Sequence, residues 1–210
     1  MARSSSRRAP GSPAGEPGNG EEGNRRTELI RAAARLFREK GYDATTIRDI
    51  ANAVGMRSGS PFYHFKSKQD MLRAVMSEGL QQALAALEEV AARPAPPRDK
   101  FRGLIRAHLA TILEPSADFI PVLLYEWRAL DQESRAEVIA VKDRYEAIWQ
   151  NCLRELKKAG LLRRDGKMER LLMFGALNWI AQWYKPGGGL SIDQIADQAL
   201  EFFLCPARTK

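Results

Sequence analysis

The side chains that most often carry out covalent or metal chemistry are sparse in this sequence of 210 residues. The two histidines, His64 and His108, are 44 positions apart, and the two cysteines, Cys152 and Cys205, have no CxxC or Cys/His spacing. Metal centres need several such ligands close together, and neither a GxSxG nor a P-loop motif occurs. We therefore predict that the protein is not an enzyme and binds no metal or cofactor, and that His108 lies in the core or in a pocket.

The composition predicts where the protein resides. With 44% hydrophobic residues the chain can fill a sizeable core, and its two isolated cysteines are typical of reduced thiols. No apolar run approaches the roughly 18 residues of a membrane span, and the N-terminus lacks the apolar centre of a signal peptide. These observations predict a soluble, cytoplasmic protein without a membrane partner.

The positive charge is concentrated near the N-terminus. The formal net charge is +7, and residues 25–68 hold ten lysines and arginines against four acidic residues, which gives that segment +6. Residues 1–24 have three charges of each sign, so the rest of the chain carries only +1. Either a polyanionic partner such as DNA or an ordinary solvated face explains a basic segment on a nearly neutral body, and charge alone does not decide between them.

The chain divides into a tail and two helical segments. Residues 1–24 are rich in Gly, Pro, Ser and Ala with almost nothing apolar to bury, which predicts a disordered tail. Beyond them, nearly every segment repeats its apolar residues with helical spacing, and none alternates as a strand would. We predict an all-α fold with an N-terminal three-helix domain at residues 25–68 and a C-terminal helical domain at residues 69–205.

The segment GMRSGSPFYHF, residues 55–65, interrupts the helical pattern with two glycines and a proline. Thr46 is predicted to cap the short helix before it, with Asp49 in the capping-box position. Ser58 is predicted to cap the next helix, which places Pro61 in the first turn, where its missing N–H costs no hydrogen bond. Two short helices around a glycine turn indicate a helix-turn-helix, whose second helix offers its N-terminal residues to the DNA major groove.

Residues 29–72, LIRAAARLFREKGYDATTIRDIANAVGMRSGSPFYHFKSKQDML, resemble the N-terminal domain of TetR-family bacterial transcriptional regulators. The elements AAxxLFxxxGY, TTxxxIAxxxG and FYHFKSK carry the resemblance by their order and spacing. The family implies an all-α homodimer whose C-terminal helical domain binds a small ligand and dimerises through its last two helices. The residues that the resemblance places on the DNA-facing surface are Thr46, Arg57, Ser58, Ser60, Tyr63, His64 and Lys68.

Within that set, the resemblance implies that Thr46 and Lys68 contact phosphates. The structural alternatives are that Thr46 is only a helix cap and that His64 is only a packed surface ring. The chain also departs from the family pattern, because a tyrosine that is common in the family is Phe62 here and Tyr63 follows it. Which of these two rings faces the phosphate backbone stays open.

The segment LLMFGALNWIAQWYKPGGGLS, residues 171–191, is apolar on nearly all sides. A helix of this kind is buried all round, which suits one that borders a ligand cavity on one side and a partner subunit on the other. Its end resembles TetR-family regulators that sense acyl-CoA thioesters, although for any single aromatic residue of this segment a place in an ordinary core is the more common role. The predicted ligand-binding residues are His108, Trp127, Tyr145, Trp149, Asn178, Trp179, Gln182 and Trp183.

The last predicted helix, SIDQIADQALEFFL, presents an apolar face that ends at Phe203. We predict that this face and the helix before it form the dimer interface. The function expected from these features is a homodimeric transcriptional repressor that binds a near-palindromic operator in double-stranded DNA and is released by a small hydrophobic ligand such as an acyl-CoA thioester. The alternatives are an architectural protein that binds DNA without sequence preference, and an efflux regulator of the same fold that senses hydrophobic cations.

Overall fold

The structure is a computed structural model that describes residues 19–57, 59–114 and 118–204, with side chains from residue 23 onward. Within these ranges the regular structure is helical and no residue lies in a β-strand, as the all-α prediction requires. None of the described helices is long and apolar enough to cross a lipid bilayer. The α-helices are α1 (Asn19–Lys40), α2 (Ile47–Ala53), α3 (Pro61–His64), α4 (Lys68–Ala92), α5 (Pro97–Leu113), α6 (Phe119–Tyr125), α7 (Gln132–Lys158), α8 (Lys167–Trp179) and α9 (Ile192–Phe203).

The N-terminal domain is built on α1, which packs against α2 and α4. Its apolar side chains recur at three- and four-residue spacing, so Leu29, Ala33 and Phe37 share one face and are fully buried. Ile50 of α2 and Leu72 of α4 complete this part of the core. The amphipathic pattern of the sequence therefore predicted the packing of this domain.

The turns around α2 depend on particular residues. Gly41 and Gly55 have φ values of 81° and 67°, a left-handed conformation that a side chain would strain. The buried Thr45 hydroxyl donates to the carbonyls of Leu36 and Gly41 and so ties the end of α1 to this loop. These contacts fix the orientation of α2, and with it the helix-turn-helix.

The cap of α2 is the predicted capping box. The Thr46 hydroxyl accepts a hydrogen bond from the Asp49 N–H at 3.1 Å, and the Asp49 carboxylate accepts one from the Thr46 N–H at 2.9 Å. Hydrogen bonds from the Thr46 side chain and backbone hold the pKa of Asp49 below its usual value. The cap role of Thr46 is thus confirmed.

Two predicted boundaries were wrong. Helix α1 begins at Asn19, so residues 19–24 are helical and do not belong to a disordered tail. Extending a formed helix adds one hydrogen bond per residue, and an ion pair between Arg25 and Glu28 stabilises the turn directly after this segment. The rest of the predicted tail, residues 1–18, lies outside the described residues.

The second correction concerns α3, which begins at Pro61, with Ser60 as the residue before it. The predicted cap was Ser58, which stands two positions before Ser60 and lies outside the described residues. Proline is favoured at the first helical position, because its fixed φ suits a helix and its missing N–H would have no partner there. The proline therefore marks the start of this helix better than the serine does.

The C-terminal domain surrounds α4, which packs against α5, α6 and α7. Helix α6 is followed by a short 3₁₀ turn at Trp127–Ala129. Helix α6 ends where Glu126 accepts a hydrogen bond from the Tyr42 N–H at 3.2 Å, a tertiary contact that the local pattern does not reveal.

Helix α9 packs against α5 through a ladder of charges. Three arginines of α5, spaced four residues apart, face three carboxylates of α9 with the same spacing. The pairs are Arg98 with Glu201, Arg102 with Asp197, and Arg106 with Asp193. This ladder and the buried Ile195, Ala196 and Leu200 fix α9 on its own protomer.

Candidate functional site

The recognition helix α3 is held to the domain at both ends. Pro61 is buried at its start, and Phe65, directly after it, is only 2% exposed. The guanidinium carbon of Arg26 lies 5.1 Å from the centre of the Phe65 ring. Because residues four apart share a helix face, the side chain of Tyr63 points away from this anchored face and is 76% exposed. The helix thus presents its middle residues to the outside.

The described residues predicted to face DNA surround this helix with different degrees of freedom. Arg57 is exposed on the turn before α3, and Ser60 is half-buried. The rings of Tyr63 and His64 meet edge to face, with centroids 5.2 Å apart. Hence the His64 ring is packed against the Tyr63 ring on the exposed side of the helix. The remaining predicted residue, Ser58, lies outside the described residues.

Lys68 is held more firmly than the sequence suggested. Its ammonium group lies 4.2 Å from the centre of the Tyr42 ring and donates to the Asp43 carbonyl at 3.3 Å. These contacts fix the charge beside the loop between α1 and α2, near the exposed Thr46. A positive charge in this position is suited to a phosphate that approaches the α2 cap.

The C-terminal domain contains an apolar cavity of about 120 Å³. Its walls come from α4, α5, α6, α7 and α8. The lining residues are Leu80, Ala83, His108, Thr111, Ile120, Leu123, Leu124, Lys142, Tyr145, Glu146, Phe174 and Asn178.

A chain of hydrogen bonds forms the polar part of this cavity. Nδ1 of His108 lies 2.6 Å from the Tyr145 hydroxyl, and Nε2 lies 3.0 Å from Oδ1 of Asn178. Because an amide oxygen only accepts, Nε2 carries the proton and Nδ1 accepts from the tyrosine. Burial lowers the pKa of His108 to about 4 and raises that of Tyr145, so both side chains are neutral at pH 7. The chain is therefore an uncharged, directed set of hydrogen bonds.

Aromatic rings hold the imidazole in place. The Phe174 ring stacks on His108 with an interplanar angle of 12°, and the buried Trp149 meets it edge-on with centroids 5.8 Å apart. Phe174 was missed by sequence reasoning, although it stands four residues before Asn178 and so shares its helix face. Three of the eight predicted ligand residues, His108, Tyr145 and Asn178, line the cavity, and Trp149 supports it from behind.

A charged group that the sequence did not reveal lies at the edge of the cavity. Glu146 pairs with Lys142 on the same helix and with Arg170 of α8, the latter at 2.7 Å. Only 15% of the Glu146 side chain and 11% of the Arg170 side chain are exposed. The carboxylate is thus neutralised by two cations and does not leave a free negative charge for a cationic ligand.

The other four predicted ligand residues do not line this cavity. Trp127 lies in the 3₁₀ turn, where the guanidinium carbon of Arg135 is 5.9 Å from its ring centre. Gln182 donates to the hydroxyl of Tyr125 on the exposed surface. Trp179 and Trp183 are 67% and 50% exposed. Trp179, Gln182 and Trp183 had been placed in the ligand site because an apolar helix does not show which of its sides faces the protomer.

The exposed tryptophans belong to an apolar stripe, here called the α8 face. The residues of this face are Met168, Leu171, Leu172, Gly175, Ala176, Trp179 and Trp183. On α9, Phe202 is 81% exposed, whereas the centre of the Phe203 ring lies 6.5 Å from that of Phe101. The prediction that Phe203 lies on the outer apolar face was therefore wrong, because α9 turns that face toward α5.

Comparison with known proteins places both parts of the chain. The family model described as bacterial regulatory proteins, tetR family, matches residues 29–75. The model described as tetracyclin repressor-like, C-terminal domain, matches residues 94–205. These two matches cover the helix-turn-helix and nearly all of the helices that form the cavity.

Individual relatives agree with these matches. The HTH-type transcriptional repressor KstR2 of Mycolicibacterium smegmatis is 31% identical over 186 residues, which are 86% of this chain and 89% of that protein. The solved structure of superantigen PfiT is 42% identical, with a TM-score of 0.73 over 85% of this chain and 95% of that one. AibR in complex with isovaleryl coenzyme A and operator DNA has a TM-score of 0.79 at 26% identity, over 87% of this chain and 100% of that one. The chain therefore belongs to the TetR family of bacterial transcriptional regulators.

Proposed function

We propose that the protein is a homodimeric repressor that binds a near-palindromic operator and releases it when an acyl-CoA thioester with a short acyl chain enters the cavity. The observation that carries the ligand assignment is the neutral chain of Tyr145, His108 and Asn178 inside an apolar cavity of about 120 Å³. The volume suits a short acyl chain, and the thioester carbonyl requires a donor. Asn178, whose oxygen accepts from His108, has an NH₂ group for that purpose.

The comparisons support this class of ligand and response. KstR2 is a transcriptional repressor, and the crystal structure of AibR contains both isovaleryl coenzyme A and operator DNA. The Glu146 carboxylate is already paired with Lys142 and Arg170, so it leaves no negative charge for a cationic ligand. This argues against the alternative of an efflux regulator that senses hydrophobic cations. A thioester carbonyl needs hydrogen-bond donors and no charge, which is what the cavity provides.

The α8 face supports a dimer as the active form. Seven residues of one helical stripe are exposed and apolar or small, and Phe202 of α9 is a further exposed apolar side chain. Contiguous apolar surfaces of this kind mark interaction sites, and a surface that pairs with its own copy gives a two-fold dimer. A two-fold axis brings two copies of α3 to successive turns of the major groove, about 34 Å apart.

Helix α6 connects the cavity with the DNA-binding domain. Ile120 lines the cavity from the first turn of this helix. Directly before the helix, Asp118 pairs with Arg38 of α1 at 3.0 Å, and directly after it Glu126 holds the Tyr42 N–H. A ligand that displaces α6 changes the position of α1 through both contacts. Repression is then relieved because the ligand prefers a conformer whose recognition helices no longer fit the operator.

The experiment that tests operator binding is selection of DNA by the full-length protein from a random pool. The affinity for the selected duplex and for random duplex is then measured at the same salt concentration. A specific repressor prefers its site by a factor of about 10³ or more. An architectural protein would bind both duplexes alike with the same salt dependence, and that result would refute the proposed function.

A further inference from the structure

The recognition helix presents two neighbouring aromatic rings to the outside. Phe62 is 55% exposed and Tyr63 is 76% exposed. Among the described residues of the N-terminal domain, these two are the large apolar side chains with high exposure. More than half of the Phe62 surface is therefore available for contact with a partner, and the partner proposed for this helix is DNA.

The two rings differ in what they can contact. Tyr63 has a hydroxyl group that bonds a phosphate or a base edge, whereas Phe62 has no donor or acceptor. Phosphates and most base edges are polar, and the apolar group in the major groove is the C5-methyl of thymine. A phenyl ring at the groove is therefore complementary to a thymine and to no other base.

The surroundings of Phe62 support a contact with a base. The flanking Pro61 and Phe65 are buried, which fixes the backbone on both sides of the ring. Two basic side chains close to Phe62 in the chain could hold the phosphates: Lys68, which is fixed against Tyr42, and the exposed Lys66. With phosphate binding supplied by these residues, Phe62 is left to contribute sequence preference.

We propose that Phe62 determines operator specificity by packing its ring on the C5-methyl of one thymine in each half-site. The proposal rests on the proposed function, since it requires that α3 enters the major groove of a specific operator. In this proposal the Tyr63 hydroxyl makes the polar contact with DNA, and the Phe62 ring makes the apolar contact.

The test uses the DNA selected by the full-length protein and replaces each thymine in turn by deoxyuridine, which removes only the methyl group. We expect one position per half-site at which the replacement weakens binding about fourfold, the effect of burying one methyl group. Phe62→Leu keeps an apolar side chain and should retain this dependence on the methyl group. Phe62→Ser should bind thymine and deoxyuridine duplexes equally. Because Phe62 is exposed, circular dichroism melting should show both variants folded as the wild type is.

A second readout locates the contact directly. 5-Iododeoxyuridine at the sensitive position should crosslink to Phe62 on irradiation, as identified by mass spectrometry of the peptide. A selected site without any position sensitive to deoxyuridine would overturn the role of Phe62 and leave the proposed function intact. Sensitivity that persists in Phe62→Ser would also overturn it. Failure to select any site would instead refute the proposed function, and the role of Phe62 with it.

Discussion

The buried imidazole of His108 should make the stability of the protein depend on pH in a predictable way. Burial lowers its pKa from 6.5 to about 4 in the folded protein. Between these two values the unfolded chain binds a proton on this side chain and the native protein does not. The free energy of unfolding must therefore fall as the pH drops through this window. The contribution is fully present above pH 6.5.

The size of the effect follows from the two pKa values. Between pH 7 and pH 5 the linkage relation gives a loss of about 2 kcal/mol from His108 alone. Other groups also titrate in this range, so the informative quantity is the difference between two proteins. His108→Gln removes the titration but keeps a side chain that can both donate and accept, toward Tyr145 and Asn178.

The assay is urea unfolding followed by tryptophan fluorescence at pH 7 and pH 5, at one fixed protein concentration. The stability of the wild type should fall by about 2 kcal/mol more than that of His108→Gln over this interval. Tyr145→Phe serves as the control, because it removes one hydrogen bond but leaves the imidazole buried, and it should keep the pH dependence of the wild type. Equal losses in the wild type and His108→Gln would refute the conclusion that this histidine is buried in its neutral form.

Three further predictions concern the DNA surface, the dimer and the packing of α6. If the Arg57 guanidinium donates two hydrogen bonds to a guanine, Arg57→Ala removes both. Operator binding should then be weaker by about 1–3 kcal/mol in a gel-shift series. Trp179→Glu places a charge on the α8 face, and it should give a monomer in sedimentation analysis without measurable specific DNA binding. Gly79→Ala should lower the free energy of unfolding by about 1–3 kcal/mol, because the new Cβ would lie 2.3 Å from that of Phe119.

Each of these predictions has a control and an outcome that contradicts it. Unchanged affinity and sequence preference in Arg57→Ala would remove that residue from the DNA surface. Ile139→Glu changes an exposed apolar residue of α7 outside the α8 face and should remain dimeric, whereas a dimeric Trp179→Glu would place the interface elsewhere. Gly23→Ala has open space around the new Cβ, so it should not destabilise the protein. A Gly79→Ala protein as stable as Gly23→Ala would show that α6 is not packed closely on α4.

The parts of the fold that depend on local chemistry could be predicted from the sequence. Thr46 and Asp49 are three residues apart, and the capping box they form needs no other part of the chain. The start of α3 was placed wrongly because the position of the cap was argued from Ser58, while Pro61, three residues later, was the stronger signal. The early start of α1 was missed because composition indicates disorder over a segment but does not locate its end.

The candidate site depends on contacts between distant segments, and only part of it was predictable. His108, Tyr145 and Asn178 were among the predicted ligand residues, but their hydrogen bonds join three different helices. Trp179 was assigned to the cavity, since a helix that is apolar all round has no pattern to separate the inner side from the outer one. Glu146 resembles an ordinary solvated carboxylate in the sequence, and its cationic partner Arg170 is 24 positions away.

The ligand response is tested most directly by the fluorescence anisotropy of the selected operator duplex bound to the full-length protein, titrated with isovaleryl-CoA. Free coenzyme A serves as the ligand control, and two variants test the site. Asn178→Ala removes a predicted cavity contact, whereas Gln182→Ala removes a residue that lies outside the cavity. We expect isovaleryl-CoA, but not coenzyme A, to release the operator from the wild type and from Gln182→Ala, and Asn178→Ala to stay bound. Operator binding that no short-chain acyl-CoA changes, or an equal response of both variants, would contradict the proposal that this cavity controls repression.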